Sequence, residues 1–231
     1  VIKNTTQYKL IFMKKFLIPF VFLIQISSFA HSTNGGWMMY FGNAAIKNSP
    51  FKLHYEIQNR NHNLTSDLNQ LLVRSAIQYN YNDEVTFSAG YGFVQTEKEF
   101  TPDLPTRENR AYQEASLQQS VSKLNLKHRF RYEQRFLEDD FKTRFRYQLG
   151  IDVPVFDTNC GKSIYATAYN EIFINGENTN NASLFDRNRL FLGAGIKVNK
   201  QLGFQAGWMN QMQENQSNQK VMISIHHQIK W

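Results

Sequence analysis

Apolar and polar residues alternate with a period of two along most of the chain after residue 50. The last segment shows this most clearly, because one face carries Val221, Ile223, Ile225, Ile229 and Trp231. The opposite face carries Ser224, His226, Gln228 and Lys230, and only His227 interrupts the apolar face. This alternation predicts a β-strand with one apolar and one polar face. A tilted strand of about 9–11 residues is long enough to span a bilayer.

Two neighbouring segments, 124–136 and 141–153, have the same period with a strongly charged polar face. That face carries Lys127, Arg129, Arg131, Glu133 and Arg135 in the first segment, and Lys142, Arg144, Arg146 and Asp152 in the second. Residues 137–140 form the predicted turn between them. If Phe136 lies opposite Phe141, the cross-strand pairs are Glu133 with Arg144, Asn125 with Asp152, Tyr132 with Phe145, and Phe130 with Tyr147.

The weaker segments complete a predicted set of ten strands. These additional strands are placed near 51–60, 68–80, 85–96, 109–120, 163–174, 187–199 and 202–212. Residues 37–46 are a candidate for an eleventh strand. Single-chain bacterial barrels usually have an even number of strands. This segment is therefore expected to be either half a strand at the periplasmic rim or one of two extra strands that make twelve. Short periplasmic turns are expected at 80–84, 120–123 and 199–201, and long external loops at 97–108, 175–186 and 213–220. The stretch 154–162 is long for a periplasmic turn.

The first thirty residues predict an export signal. Met13 begins a basic stretch that is followed by the apolar run Phe16 to Ile24, and Ser28-Phe29-Ala30 is a small-x-small cleavage site. Cleavage is expected after Ala30. Residues 1–12 are interpreted as non-native sequence upstream of the initiator, and 31–231 as one barrel domain.

Removing the signal changes the interpretation of the charge. The whole chain has a net charge of +7, but residues 1–30 hold four lysines and no acid, which leaves 22 basic and 19 acidic residues. A nucleic-acid partner therefore loses its main support. Cys160 is the single cysteine, so no internal disulfide is expected, and its Asn159-Cys160-Gly161 context indicates a turn.

Alternation alone does not say which face of the barrel is apolar. A soluble barrel turns its apolar face inward, whereas a membrane barrel turns it toward lipid and keeps charges inside. The export signal and the terminal aromatic strand favour the membrane form, and an aromatic content of 14% fits interfacial girdles. The fold prediction is an all-β, antiparallel transmembrane β-barrel of about ten strands. A soluble lipocalin-like barrel is the alternative.

Several motifs resemble a family of bacterial outer-membrane proteins known as domain of unknown function 2490, common in Bacteroidota. They are Trp37, 129–135 (RFRYEQR), 169–175 (YNEIFIN), 185–193 (FDRNRLFLG) and 204–211 (FQAGWMNQ). The resemblance implies a barrel, an export signal and no established activity, and it brings no catalytic residues. The likeness to outer-membrane barrels also implies that the C-terminal strand, with Ile225, Ile229 and Trp231, binds the barrel-assembly machinery.

The inward charges are the candidate functional residues. The predicted network contains the basic wall on 124–136 and 141–153 together with Glu56, Glu114, Glu133, Asp152, Glu171 and Arg189. Because desolvated charges must be paired, the favoured interpretation is a structural or interaction barrel with a charge-paired lumen. A narrow channel for small polar or anionic solutes is the alternative. Glu171 and Arg189 are expected on paired strands, where they close the outer end as an ion pair or form part of a binding site.

Enzymatic and metal sites have weaker support. His128 lies on the predicted lipid face, where some outer-membrane lipid hydrolases carry catalytic residues, but Phe130 occupies the position expected for a serine. His226 and His227 face opposite ways, which disfavours a shared metal ion. No catalytic residue, metal or cofactor is therefore predicted, and a lipid-modifying enzyme is a third alternative. The expected location is the outer membrane of a Gram-negative bacterium, in contact with its lipid, with both termini periplasmic.

Overall fold

The computed structural model describes residues 35–99, 101–157, 162–177 and 183–230. The predicted signal peptide at 13–30, the upstream residues 1–12, Cys160 and Trp231 lie outside these ranges. No helix in the described ranges is long and apolar enough to cross a membrane.

Eleven β-strands form one closed barrel. Their bounds are β1 Gly35–Ala45, β2 Phe51–Asn61, β3 Leu68–Asn80, β4 Val85–Lys98, β5 Thr101–Val121, β6 Leu124–Leu137, β7 Phe141–Asp157, β8 Ser163–Asn175, β9 Phe185–Lys197, β10 Leu202–Gln213 and β11 Gln216–Lys230. Each strand pairs with its neighbours in the chain, and β1 closes the barrel against β11. The predicted all-β barrel is confirmed, with a strand count between the ten and twelve considered from the sequence.

The closing pair is parallel, with Trp37 opposite Met222 and Phe41 opposite His226. An odd number of strands in an up-and-down barrel must close this way, because the first and last strands then run in the same direction. Residues 37–46 are therefore most of a full strand, not half of one. Gly35 and Lys230 lie at opposite ends of the barrel, which contradicts the expectation that both ends of the domain share a rim.

Gly35 and Lys230 mark the two ends of the barrel, the Gly35 rim and the Lys230 rim. The Gly35 rim carries the turns after β2, β4, β6, β8 and β10, and the Lys230 rim carries the turns after β1, β3, β5, β7 and β9. Three predicted loops are partly strand: β5 begins at Thr101, β7 continues to Asp157, and β10 and β11 are joined by only two residues. The predicted external loops 97–108 and 213–220 are therefore mostly hairpin. Residues 213–220 are polar at every position, so the alternation of apolar and polar residues is absent there although β10 and β11 remain paired.

The predicted register between β6 and β7 is the observed one. Phe136 pairs with Phe141, Glu133 with Arg144, and Asn125 with Asp152. The ring centroids of Phe130 and Tyr147 lie 4.7 Å apart, and those of Tyr132 and Phe145 lie 4.9 Å apart. These aromatic cross-strand pairs stabilise the hairpin on its outer face.

The two faces of the wall have opposite polarity. Large apolar side chains point outward on strands around the whole barrel: Ile57, Ile77, Phe87, Phe130, Phe145, Leu192, Trp208 and Ile223 are each at least 36% exposed. Inward positions on β2, β5, β6, β7, β8 and β9 carry buried charges. The side chains of Ile225 and Ile229 lie on the same outer face of β11 as Ile223, and they are half-buried.

A pair of inward glycines makes room for an aromatic ring in the lumen. Gly193 and Gly207 are cross-strand partners, and the Phe191 ring lies over them. A Cβ at Gly193 would lie 2.5 Å from the Ala206 carbonyl oxygen and 2.6 Å from Cζ of Phe191. The backbone and the buried ring leave no space for a side chain there.

We therefore expect Gly193→Ala to lower the free energy of unfolding by about 1–3 kcal/mol through overpacking. Gly150→Ala is the matched control, because a Cβ there would meet nothing closer than 3.6 Å. That variant should be neutral or stabilise the barrel by about 0.4–1 kcal/mol. Denaturant unfolding in detergent micelles measures both, and equal effects would show that the Gly193 contact does not matter.

Candidate functional site

Arginine is concentrated inside the barrel. Of the eleven arginines in the chain, Arg107 alone has an exposed side chain outside the lumen. The other ten point inward: Arg60, Arg74, Arg110, Arg129, Arg131, Arg135, Arg144, Arg146, Arg187 and Arg189. Eight of these form ion pairs with six carboxylates in the described part of the chain: Glu56, Glu108, Glu114, Glu133, Glu171 and Asp186.

Glu133 on β6 lies at the centre of this network, with a side chain that is 1% exposed. Arg144 donates to Oε2 from Nε at 3.0 Å and from Nη2 at 2.6 Å. Arg146 donates to Oε1 from Nη1 at 2.5 Å, and Nη1 of Arg131 lies 3.6 Å from the same oxygen. Nη1 of Arg74 on β3 lies 4.0 Å from Oε1 as well, so one carboxylate offsets the charge of guanidinium groups from three strands.

Most of the other carboxylates are also shared. Glu108 accepts hydrogen bonds from Arg110 and Arg135, both at 2.6 Å. Glu171 accepts from Arg146 at 2.6 Å and from Arg129 at 2.7 Å. Glu114 lies 2.5 Å from Arg131 and 3.7 Å from Arg129. Asp186 accepts hydrogen bonds from Arg144 at 3.0 Å and from Arg187 at 2.9 Å. Glu56 accepts a hydrogen bond from Arg74 at 2.6 Å. These shared bonds cross-link the strands through the barrel interior.

Not every residue predicted for the network takes part in its buried centre. Lys127 pairs with Asp152 at 2.5 Å near the Lys230 rim, with its side chain 48% exposed. Lys142 pairs with Asp140 at 2.9 Å at the Gly35 rim, and its hydrogen bond lowers the pKa of Asp140, which lies in the β6–β7 turn.

The predicted Glu171–Arg189 ion pair does not form between these two described residues. They are cross-strand partners, but Glu171 bonds to Arg129 and Arg146. Nε of Arg189 donates to Gln211 on the adjacent strand at 2.9 Å. The Arg189 guanidinium therefore bonds to an amide on β10 and stays 4.6 Å from the Phe173 ring centroid on β8.

The lumen also has an apolar side, which the prediction of a polar interior did not include. Trp37, Met39, Phe191, Met209 and Met222 form a buried cluster contributed by β1, β9, β10 and β11. Phe173 on β8 is 1% exposed and lies between this cluster and the charges. The guanidinium carbons of Arg146 and Arg189 lie 4.4 and 4.6 Å from its ring centroid, distances typical of cation–π contacts.

Sequence reasoning missed four charged members of the lumen: Arg60, Arg74, Glu108 and Arg110. Arg60 follows Glu56 at an even spacing on β2, so strand parity already placed the two side chains on one face. Glu108 was missed because β5 was expected to begin at residue 109. Asp186 and Arg187 appeared in the sequence analysis only within the family motif 185–193, whereas both belong to the ion-pair network.

A cavity of about 570 Å³ opens above the network at the Gly35 rim. Arg60, Arg110, Arg144 and Arg189 contribute to its lower wall together with Trp37 and Phe173. Amide and hydroxyl side chains line other parts of the wall, among them Asn69, Thr96, Gln213 and Gln216. The cavity is therefore basic, polar and accessible from one end of the barrel.

The histidines form separate contacts. His128 bonds to the hydroxyl of Tyr147 at 2.9 Å on the outer face. His226 points inward and lies 2.9 Å from the Ser224 hydroxyl, while His227 points outward and lies 2.8 Å from the Tyr40 hydroxyl. Within the described ranges, no group of three or more His, Cys, Asp or Glu side chains could hold a metal ion.

Comparison with known proteins adds a family but no activity. The profile of the family described as "Protein of unknown function (DUF2490)" matches residues 34–222. An uncharacterised protein of Methylorubrum extorquens is 28% identical over 168 residues, which cover 71% of this chain and 72% of that protein. No solved structure matches. Since the family profile covers most of the strands that form the barrel and its charged lumen, the chain belongs to the DUF2490 family of proteins of unknown function.

Proposed function

We propose that this protein is a non-conducting β-barrel of the Gram-negative outer membrane, with a structural or interaction role and a lumen closed by its own side chains. The observation that carries this proposal is the polarity of the wall. Phe130 on β6 is 55% exposed and Ile223 on β11 is 51% exposed, whereas the inward-facing Glu133 side chain on β6 is 1% exposed. Apolar groups face out and ions face in.

A bilayer accounts for this arrangement better than water does. In a soluble lipocalin-like barrel, the exposed aromatic and aliphatic residues would cost free energy in water and the buried ions would be desolvated for no gain. In lipid, the same exterior is favourable, and a closed barrel leaves no strand edge unpaired. The continuous ring of eleven hydrogen-bonded strands meets that requirement.

The packing of the lumen supports a closed barrel over a channel. Phe173, Phe191 and Met209 are each at most 1% exposed, and the Glu133 side chain on β6 is equally buried. An open pore would instead leave a band of side chains wet along the whole axis. Of these residues, Phe173 lines the cavity at the Gly35 rim.

The remaining expectations belong to the same proposal. The signal at residues 13–30 directs export, and the outward-facing Ile225 and Ile229 of β11 belong to the strand that the assembly machinery binds. The Lys230 rim then faces the periplasm, and the cavity opens to the cell exterior. His128 has a structural partner in Tyr147, so no catalytic step is proposed for it.

Reconstitution into planar bilayers tests the closed lumen. Protein refolded in detergent, with insertion verified by heat-modifiable migration on gels, should leave the membrane at its baseline current. Regular conductance steps from the wild-type protein would contradict the proposal and favour a channel. In cells, the protein should sediment with outer membranes and resist carbonate extraction, and recovery in the soluble periplasmic fraction would contradict the membrane location.

A further inference from the structure

Two buried arginines in the cavity lack a carboxylate partner in the described part of the chain. Arg60 is 8% exposed and donates to the Gln58 oxygen from Nε at 2.8 Å and to the Gln70 oxygen from Nη1 at 2.5 Å. Arg189 is 7% exposed and donates from Nε to Gln211. Neutral amides satisfy some of the N–H groups, but they do not neutralise either positive charge.

The two guanidinium groups contact the same aromatic ring, that of Trp37. The guanidinium carbon of Arg60 lies 4.0 Å from the Trp37 ring centroid, and that of Arg189 lies 4.9 Å from it. All three side chains line the cavity at the Gly35 rim. The ring face attracts each cation, but the two guanidinium groups repel each other, and an anion bound to both would relieve that repulsion.

The charge of the surrounding lumen increases this demand. Eight other arginines share six carboxylates, so the lumen network carries four more guanidinium groups than carboxylates. Neighbouring carboxylates such as Glu133 and Asp186 are already bonded to other arginines. Glu99 also lines the cavity, but it interacts electrostatically with Lys220 on the same wall, so the excess positive charge at this site stays with Arg60 and Arg189.

We propose that this cavity binds a small hydroxylated organic oxyanion, the class that includes sugar phosphates and sugar acids. Its phosphate or carboxylate group accepts hydrogen bonds from Arg60 and Arg189 on the cavity wall, because guanidinium groups donate paired hydrogen bonds to such oxygens. The amide side chains of Asn69, Gln213 and Gln216, higher on the wall, bond to the hydroxyl groups.

The size of the site fits this class. A cavity of about 570 Å³ lies within the range of about 300–1,000 Å³ typical of small-molecule sites, and a bare phosphate ion would leave most of it filled with water. The inference goes beyond the proposed membrane role. Binding is measured in detergent micelles, so a negative result would leave the conductance and fractionation results unaffected.

Titration calorimetry of the refolded barrel with glucose 6-phosphate, inorganic phosphate and glucose tests the inference. We expect glucose 6-phosphate to bind one site per chain, inorganic phosphate to bind at least fivefold more weakly, and glucose to give no measurable binding. Raising the salt concentration should weaken glucose 6-phosphate binding, because the attraction is electrostatic.

Arg189→Gln and Arg60→Gln should each weaken glucose 6-phosphate binding about tenfold or more, the loss expected for hydrogen bonds to a charged group. Arg107→Gln is the matched control, because this arginine lies outside the lumen, and its affinity should equal that of the wild type. Lys220→Gln, at the half-buried cavity wall near the rim, is a milder variant if a deeper one fails to fold, and it should weaken binding several-fold.

Three outcomes would overturn the inference. The first is the absence of glucose 6-phosphate binding to barrel shown to be folded by heat-modifiable migration. The second is equal affinity of the wild type and the folded lumen variants, which would place any bound anion elsewhere. The third is inorganic phosphate binding as tightly as glucose 6-phosphate, which would remove the role of the hydroxyl groups.

Discussion

Glu133→Gln is expected to lower the free energy of unfolding by about 3–5 kcal/mol, the loss typical of removing one partner from a buried ion pair. The amide keeps the size of the carboxylate but loses its charge, so Arg144 and Arg146 lose their strongest shared partner. Arg131, 3.6 Å away, also loses a neighbouring negative charge. Guanidinium denaturation in micelles, followed by tryptophan fluorescence, measures the change.

The control is Glu138→Gln in the exposed turn between β6 and β7. It removes the same charge five residues away, but from a solvated position, so the unfolding midpoint should not move. If Glu133→Gln also left the midpoint unchanged, the buried network would not be what stabilises the lumen.

Phe130→Arg should cost about 2–4 kcal/mol when the barrel is folded into lipid vesicles, as for a cation on the lipid face near the bilayer midplane. Phe130 is 55% exposed and lies in the middle of β6, with six residues of the strand before it and seven after it. An arginine there must leave water and enter hydrocarbon. Equilibrium folding into vesicles of a short-chain phosphatidylcholine measures the loss.

Phe136→Arg is the matched control on the same strand and the same face. Phe136 is 45% exposed and lies next to the turn at the Gly35 rim, where the expected cost falls to about 0–1 kcal/mol. Equal and small effects at both positions would mean that the outer face meets water. That result would favour the soluble barrel.

The sequence predicted the register of the β6–β7 hairpin correctly because its two faces differ in polarity along the paired segment. Aromatic residues such as Phe130 and Tyr132 alternate with Arg129, Arg131 and Glu133, so a register shift of one residue would bring charge to the outer face. The short turn after Leu137 then sets the pairing. The buried location of Glu133 follows from the same alternation.

The closure of the barrel was harder to predict. β1 is apolar on both faces, with Trp37 and Met39 inward and Met38 and Tyr40 outward, so it lacks the alternation that marks the other strands. Its parallel pairing with β11 depends on the total number of strands in the barrel. No local sequence pattern specifies that number. The partners of Arg189 were missed for a related reason. The position of a residue along a strand predicts whether its side chain points into or out of the barrel. It does not predict which neighbouring strand a long side chain reaches inside the lumen.

Spin-label accessibility in lipid vesicles tests the orientation of the wall most directly. Single cysteines, in a Cys160→Ser background, replace five outward residues around the barrel: Ile57, Ile77, Phe130, Leu192 and Ile223. If the apolar face meets lipid, each label is relaxed strongly by oxygen and weakly by a water-soluble nickel chelate. Strong relaxation by the nickel chelate at these mid-wall positions would contradict a membrane-facing exterior and, with it, the proposed outer-membrane barrel.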